Sequence, residues 1–158
     1  MKKLNFPDFD FSFKSQENKT FIFDPIRKKW LVLTPEEWVR QHCIQFLLKI
    51  KNVPLGFIQV EKKLNINNTE KRYDLVVFKP DFSIAILVEC KAPTVNLTQK
   101  TFDQIARYNT VLKSDYLMLT NGLIHFFCKM DFKKGQYLFL PDLPSYNSSE
   151  WVQLLLPY

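Results

Sequence analysis

Asp74, Glu89 and Lys91 are residues of the types that carry out metal-assisted hydrolysis, and Glu89 and Lys91 stand two positions apart at the end of an apolar run. That run, Ile84-Ala85-Ile86-Leu87-Val88-Glu89-Cys90, lies between Pro80-Asp81-Phe82-Ser83 and Ala92-Pro93. Its length and aliphatic, β-branched content predict a buried central strand. Side chains alternate across a strand, so Ala85, Leu87, Glu89 and Lys91 are expected on one face and Ile84, Ile86, Val88 and Cys90 on the other. The preceding run, Tyr73 to Phe78, is separated from it by a Pro-containing turn, which predicts an antiparallel hairpin. A turn centred between Asp81 and Phe82 sets Asp74 opposite Glu89. Two facing carboxylates in an apolar sheet repel and are costly to desolvate. A cation between them removes both penalties, and Mg²⁺ commonly takes one or two carboxylates with water and substrate phosphates. Lys91 at the rim can orient or deprotonate an attacking water, or stabilise charge developing on phosphate. A plain reading stands beside this one: Glu89 and Lys91 as a surface ion pair, and Asp74 as the opening residue of its strand.

The elements that must position these residues are legible on either side. Thr34 caps a first helix with Pro35 at its first position and Val39, Cys43, Phe46, Leu47 and Ile50 as its core stripe. Glu37 has two readings, the far half of a Thr34-x-x-Glu37 capping box or an acid of the site placed in a helical first turn. Gly56 to Ile66 alternates as a strand with one wetter face, and the turn at Asn67-Asn68 makes Glu61 a cross-strand neighbour of Asp74 and a weaker ligand candidate. After Pro93 a polar loop leads to a second helix, capped by Thr98 and running to about Lys113. Its stripe Thr101, Gln104, Ile105, Tyr108 and Leu112 is expected to face the sheet. Lys100, Arg107 and Lys113 on this helix are either phosphate contacts or a solvated face. Tyr116 to Thr120 and Leu123 to Met130, joined by Asn121-Gly122, predict a further hairpin, and Gln136 to Leu140 a last edge strand. His42 and His125 are not spaced as ligands and receive no role.

Before the first helix, Phe6, Phe9, Phe11, Phe13, Phe21 and Phe23 alternate with polar residues, and Thr20 to Asp24 with Lys29 to Leu33 predict a small hairpin around Pro25-Ile26-Arg27-Lys28. Such aromatics either stack on exposed bases or tuck the segment onto the core. The tail from Pro141 to Tyr158 ends in an apolar segment, Trp151 to Leu156, expected to fold back or meet a partner. No internal repeat or low-complexity stretch is present.

The 158 residues suit one domain, and 46% hydrophobic with 15% aromatic residues describe a folded, globular chain rather than a disordered one. A net charge of +6 is compatible with a polyanionic partner and equally with none. Cys43, Cys90 and Cys128 are widely spaced and show neither C-x-x-C nor zinc spacing, as expected of reduced, buried thiols. No apolar run has the length of a signal peptide core or a bilayer span. The expectation is a cytoplasmic protein without membrane contact.

As a set these segments resemble a known family. Asp74 followed by Glu89-Cys90-Lys91-Ala92-Pro93 is similar to the core of the PD-(D/E)XK nucleases. Thr34 to Gln41, Val60-Glu61-Lys62, Arg72-Tyr73-Asp74, Val88 to Pro93, Thr98 to Asn109 and Leu119 to Gly122 resemble, in order, the N-terminal nuclease domain of type I restriction enzyme R subunits. The resemblance runs from about Leu33 to Asp131. It implies an α/β, restriction-endonuclease-like fold, a mixed β-sheet flanked by helices with an αβββαββ core over residues 34–131. Residues 1–33 would be an N-terminal extension and 132–158 a C-terminal edge strand and tail. It further implies an Mg²⁺- or Mn²⁺-dependent DNA endonuclease in which Asp74 and Glu89 bind metal with the backbone carbonyl of Cys90, joined by Glu37. Lys91 would position water and stabilise charge. Gln104 and Tyr108 match the Q-x-x-x-Y pair, which contacts DNA or supports the active site; read alone they are a packing pair on one helix face. In that family the domain precedes a DNA-translocating motor, so the expectation here is a stand-alone domain. Double-strand cutting would call for a homodimer or other restriction or defence subunits. The alternative is a non-cleaving DNA-binding or assembly module of such a complex, and a purely protein-interacting domain is the third class.

Overall fold

A computed structural model describes residues 1–146. The chain adopts the expected α/β class. A three-stranded antiparallel sheet comes first, β1 (Phe13–Gln16), β2 (Lys19–Asp24) and β3 (Lys29–Val32), then helix α1 (Pro35–Gln45). The second sheet has six strands, β4 (Ile58–Ile66), β5 (Thr69–Phe78), β6 (Ile84–Cys90), β7 (Tyr116–Thr120), β8 (His125–Asp131) and β9 (Gln136–Leu140), in sequence order across the sheet. Helix α2 (Gln99–Leu112) crosses from β6 to β7, so that one pair is parallel and the other four are antiparallel. The mixed sheet with a βαβ crossover is the αβββαββ core read from the sequence. The first sheet is one strand larger than the expected hairpin, because Glu17 and Asn18 both take positive φ and form a tight turn that pairs β1 with β2.

The sheet is covered on both sides, which explains why β5 and β6 read as nearly unbroken apolar runs. On one side α1 packs Val39, Cys43 and Ile44 against Leu75, Val77, Ile86, Val88 and Cys90. On the other, α2 packs Phe102 and Ile105 against Tyr73, Val76, Leu87, Leu117 and Leu119. Each fully buried aliphatic here contributes roughly 1.5–3 kcal/mol of transfer free energy. The N-terminal segment closes the α1 side. Leu4 enters the core, and Phe6, Phe9 and Phe11 form a ring cluster with Trp38, His42 and His125. The aromatics of residues 6–11 therefore tuck onto the core. His42 Nδ1 meets the Trp38 carbonyl, and His125 bonds Thr120 Oγ1 and the Asn5 carbonyl.

Four expectations are corrected. Ala85 is extra in the β5–β6 ladder, where Val77 pairs with Ile86 but Phe78 with Ile84; the bulge sends Ala85 to the α1 side with Ile86 and leaves Ile84 against the α2 cluster. Ile50 leaves the α1 stripe and is exposed, because residues Phe46–Ile50 form a π-helical turn whose wider winding rotates it outward. Gln104 is exposed, and Phe102, Ile105 and Asn109 form the buried face of α2 instead. At about 100° per residue Gln104 lies a quarter turn from Ile105, off the stripe. The β7–β8 connection is a four-residue loop, Thr120 pairing with His125, not a two-residue Asn-Gly turn. Asn121 Oδ1 accepts from the amides of Leu123 and Ile124, and Gly122, at φ +84, lies so close to Leu4 and Val39 that a Cβ would collide with them. The expected apolar segment at residues 151–156 lies outside the described residues.

Candidate functional site

The register of the β5–β6 hairpin is the expected one. Leu75 pairs with Val88 and Val76 with Leu87, which carries Asp74 to the position beside Glu89. Opposite them on β4 the ladder resumes on both sides of Glu61, at Val60↔Leu75 and Lys62↔Tyr73, while Glu61 itself sits at φ +51. A non-glycine residue in this region is strained and interrupts the pleat. The alternation slips here: Leu75 packs on the α1 side but Tyr73 on the α2 side.

Asp74 turns toward α1 and is fully engaged. Its Oδ1 accepts from Arg40 at 2.7 and 3.2 Å, and its Oδ2 from the amide of Cys90 at 2.8 Å. Arg40 also pairs with Glu37 and Glu36. Burial opposes charge on Arg40, but Asp74 and Glu37 outweigh it and hold the guanidinium more firmly protonated than in water. Glu37 in turn takes Arg27 at 2.6 Å and Gln41 Nε2 at 3.0 Å. Arg27, from the β2–β3 turn, pairs with Asp24 at 2.6 Å and Glu61 at 3.3 Å. Half of the expected capping box forms: Thr34 Oγ1 accepts from the Glu37 amide, but the Glu37 carboxylate goes to the arginines.

Glu89 is different. It is 7% exposed on the α2 side, and its Oε1 has no hydrogen-bond partner among the described residues. Burial, followed by the neighbouring Asp74 charge, pushes its pKa up to about 8. Lys71 and Lys91 pull the other way without prevailing. The Tyr73 hydroxyl is likewise buried and unpartnered, and burial with the Glu89 charge raises its pKa. Lys71 lies over the rings of Tyr73 and Tyr108, at 5.8 and 5.1 Å, which sets Tyr108 beside this group. Lys91 is half-buried at the end of β6, its amide bonded to the Thr120 carbonyl, and makes no ion pair among the described residues.

The structure thus brings together Asp74, Glu89, Cys90 and Lys91, with Tyr108 at the border. Glu37 and Glu61 are joined to them through arginines, and Gln104, Lys100, Arg107 and Lys113 lie on the exposed part of α2 or at its end. Lys113 has a backbone task as the left-handed C-cap of α2. Sequence reasoning missed Arg27, Arg40, Lys71 and Tyr73. Arg40 was detectable as the i,i+3 partner of Glu37, whereas Arg27 reaches the site only through tertiary folding.

A divalent cation fits this donor set. The oxygens are hard ones, from two carboxylates and the Cys90 carbonyl, and an orphaned buried carboxylate oxygen is the kind of group a cation satisfies. No group of three or more His, Cys, Asp and Glu side chains among the described residues is arranged to hold a metal. No helix among these residues is long and apolar enough to cross a membrane.

Residues 35–144 match the family model described as type I restriction enzyme R protein N terminus (HSDR_N). No curated protein matches the chain. Among solved structures, a fragment assigned as an HsdR subunit of a type I restriction enzyme from Vibrio vulnificus YJ016 is similar at 24% identity, with a TM-score of 0.36, over 56% of this chain and 16% of that one. On the strength of the family match, which spans more than half of its length, the chain belongs to the type I restriction enzyme R protein N-terminal family.

Proposed function

We propose that this domain is a divalent-cation-dependent DNA endonuclease of the PD-(D/E)XK type, acting with Mg²⁺ or Mn²⁺. The observation that carries the reading is Glu89, a buried carboxylate with an unpartnered oxygen and a pKa near 8, set beside Asp74 on the adjacent strand. Uncompensated buried acids are costly, and perturbed acids of this kind cluster at functional sites. Asp74, Glu89 and the Cys90 carbonyl would hold the cation. When bound, the cation supplies a more acidic water and screens the charge of the phosphate. Lys91, at the end of β6, would orient the attacking water and donate to the oxygen on which charge develops. Arg40 and the Cys90 amide fix the Asp74 carboxylate, and Glu37 and Arg27 fix Arg40 in turn. Tyr108 and Lys71, in contact with each other, would lie on the substrate side. The partners proposed are DNA and further restriction subunits or a second copy of the chain.

A second reading has one observation in its favour: Arg40 already neutralises Asp74. On that reading the domain binds DNA without cutting it. Calorimetric titration with Mg²⁺ or Mn²⁺ separates the two, run on wild type, Asp74→Ala and Lys91→Ala, with cleavage of linear, supercoiled and single-stranded DNA followed in parallel. The nuclease reading expects metal binding lost in Asp74→Ala, kept in Lys91→Ala, and cutting abolished in both. No metal binding by wild type, even with DNA present, would sink it.

A further inference from the structure

The three-stranded sheet formed by residues 13–32 lies outside the family match, and only Asp24 and Arg27, on its inner side and in its β2–β3 turn, reach the site described above. Its inner face is accounted for, since Ile22 and Asp24 are fully buried. Its outer face is not. By register, Lys14 pairs with Phe21, Phe21 with Val32, and Phe23 with Trp30, so Lys14, Phe21, Phe23, Trp30 and Val32 project together from that face, with Gln16 and Lys19 continuing it. Trp30 is 36% and Val32 45% exposed, although tryptophan is ordinarily among the most buried side chains by area. Phe23 and Trp30 stand edge to face at 5.3 Å, and the Lys14 ammonium lies 5.0 Å from the Trp30 ring and 5.5 Å from Phe21. Among the described residues the three strands present no acidic side chain on this face, and Lys28 is exposed in the turn at its end.

We propose that the outer face of this sheet is a platform for single-stranded DNA, on which Trp30 and Phe21 stack unpaired bases while Lys14 and Lys19 contact the phosphates. Rings presented by a sheet and interleaved with cations are what sequence-tolerant single-strand binding requires, because every base offers a π-face. A duplex keeps its bases inside the stack and offers these rings nothing. The strands hold the rings in place before a ligand arrives, so little ordering is lost on binding. Lys14, now over the rings, is free to move to a phosphate when a base takes its place. The proposal takes DNA as ligand from the nuclease reading but needs neither cation nor cleavage.

The test is fluorescence anisotropy of an oligo(dT) about 20 nucleotides long, against a duplex of equal length, with the full chain in EDTA. Wild type should bind the single strand more tightly than the duplex. Trp30→Ala and Phe21→Ala should each weaken oligo(dT) binding about tenfold, and Trp30→Phe should restore most of it. Lys14→Ala should lower the slope of log affinity against log salt by about 0.7. Circular dichroism of each variant confirms that the exposed substitutions leave the fold intact. No oligo(dT) binding by wild type, a preference for duplex, or wild-type affinity in Trp30→Ala would overturn the proposal. Because the assay contains no cation, its failure is distinct from the failure of the nuclease reading.

Discussion

On the α1 side of the paired strands β5 and β6, the acid Asp74 is surrounded by donors; on the α2 side its neighbour Glu89 has an oxygen with no partner among the described residues. The first side is a chain of alternating charges running Asp24, Arg27, Glu37, Arg40, Asp74, in which each buried carboxylate meets a guanidinium. The second holds the Glu89 Oε1 and the Tyr73 hydroxyl, both buried and without a hydrogen-bond partner among the described residues, and the protons of these two groups are correspondingly hard to remove. Desolvation is common to both sides; what differs is whether a fixed positive charge answers it. One acid is thus held in place by fixed cations, and the other keeps a raised pKa in their absence.

The largest effect should come from breaking the satisfied side. Arg40→Ala takes the guanidinium from Asp74 and leaves Glu37 with Arg27 alone, and loss of one partner from a buried ion network costs about 3–5 kcal/mol. Urea denaturation should show that loss, and a change under about 1 kcal/mol would mean that the network is not coupled as described. Next comes the open side. The pKa of Glu89 is raised in the fold from an ordinary 4.5 to about 8, so the native state binds the extra proton between those values. Stability of the metal-free protein should therefore fall as pH rises from about 4.5 to about 8, by on the order of 5 kcal/mol, and level off above. In Glu89→Gln that fall should disappear; an unchanged pH profile would place the titration elsewhere.

Much of this contrast could be read from the residues in advance, and part could not. The β5–β6 register followed from a turn and two apolar runs, since hairpin geometry is local. Thr34 and Thr98 announced both helices because capping is local too. Asp74, Glu89 and Lys91 could be placed together on that basis alone. The role of Arg27 could not, because it depends on how the β2–β3 turn docks thirty-four positions away from Glu61. The Ala85 bulge and the π-turn at Phe46–Ile50 each shift a register by a fraction of a repeat, which periodicity does not resolve.

Two smaller effects sharpen the comparison. Arg27→Ala should detach the first sheet from the site, costing about 1.5–3 kcal/mol for charge-assisted bonds to Asp24 and Glu37, less than Arg40→Ala in the same urea series. Lys71→Ala should cost under about 1 kcal/mol by removing the cation over Tyr73 and Tyr108. It should also move the Glu89 titration further upward in a carboxyl-resolved NMR pH series, since Lys71 opposes the shift. A downward move would contradict the placement of Lys71 beside Glu89.

The central claim is that Glu89 awaits a cation, and proton release on metal binding tests it most directly. Titration of the protein with Mn²⁺ at pH 7, in two buffers of different ionisation enthalpy, counts the protons expelled. A carboxyl with a pKa near 8 that becomes a ligand must lose about one proton per metal ion, and Glu89→Gln must lose none. Release of about one proton from wild type, absent in Glu89→Gln, is the predicted result; metal binding without proton release, or no binding, would contradict it.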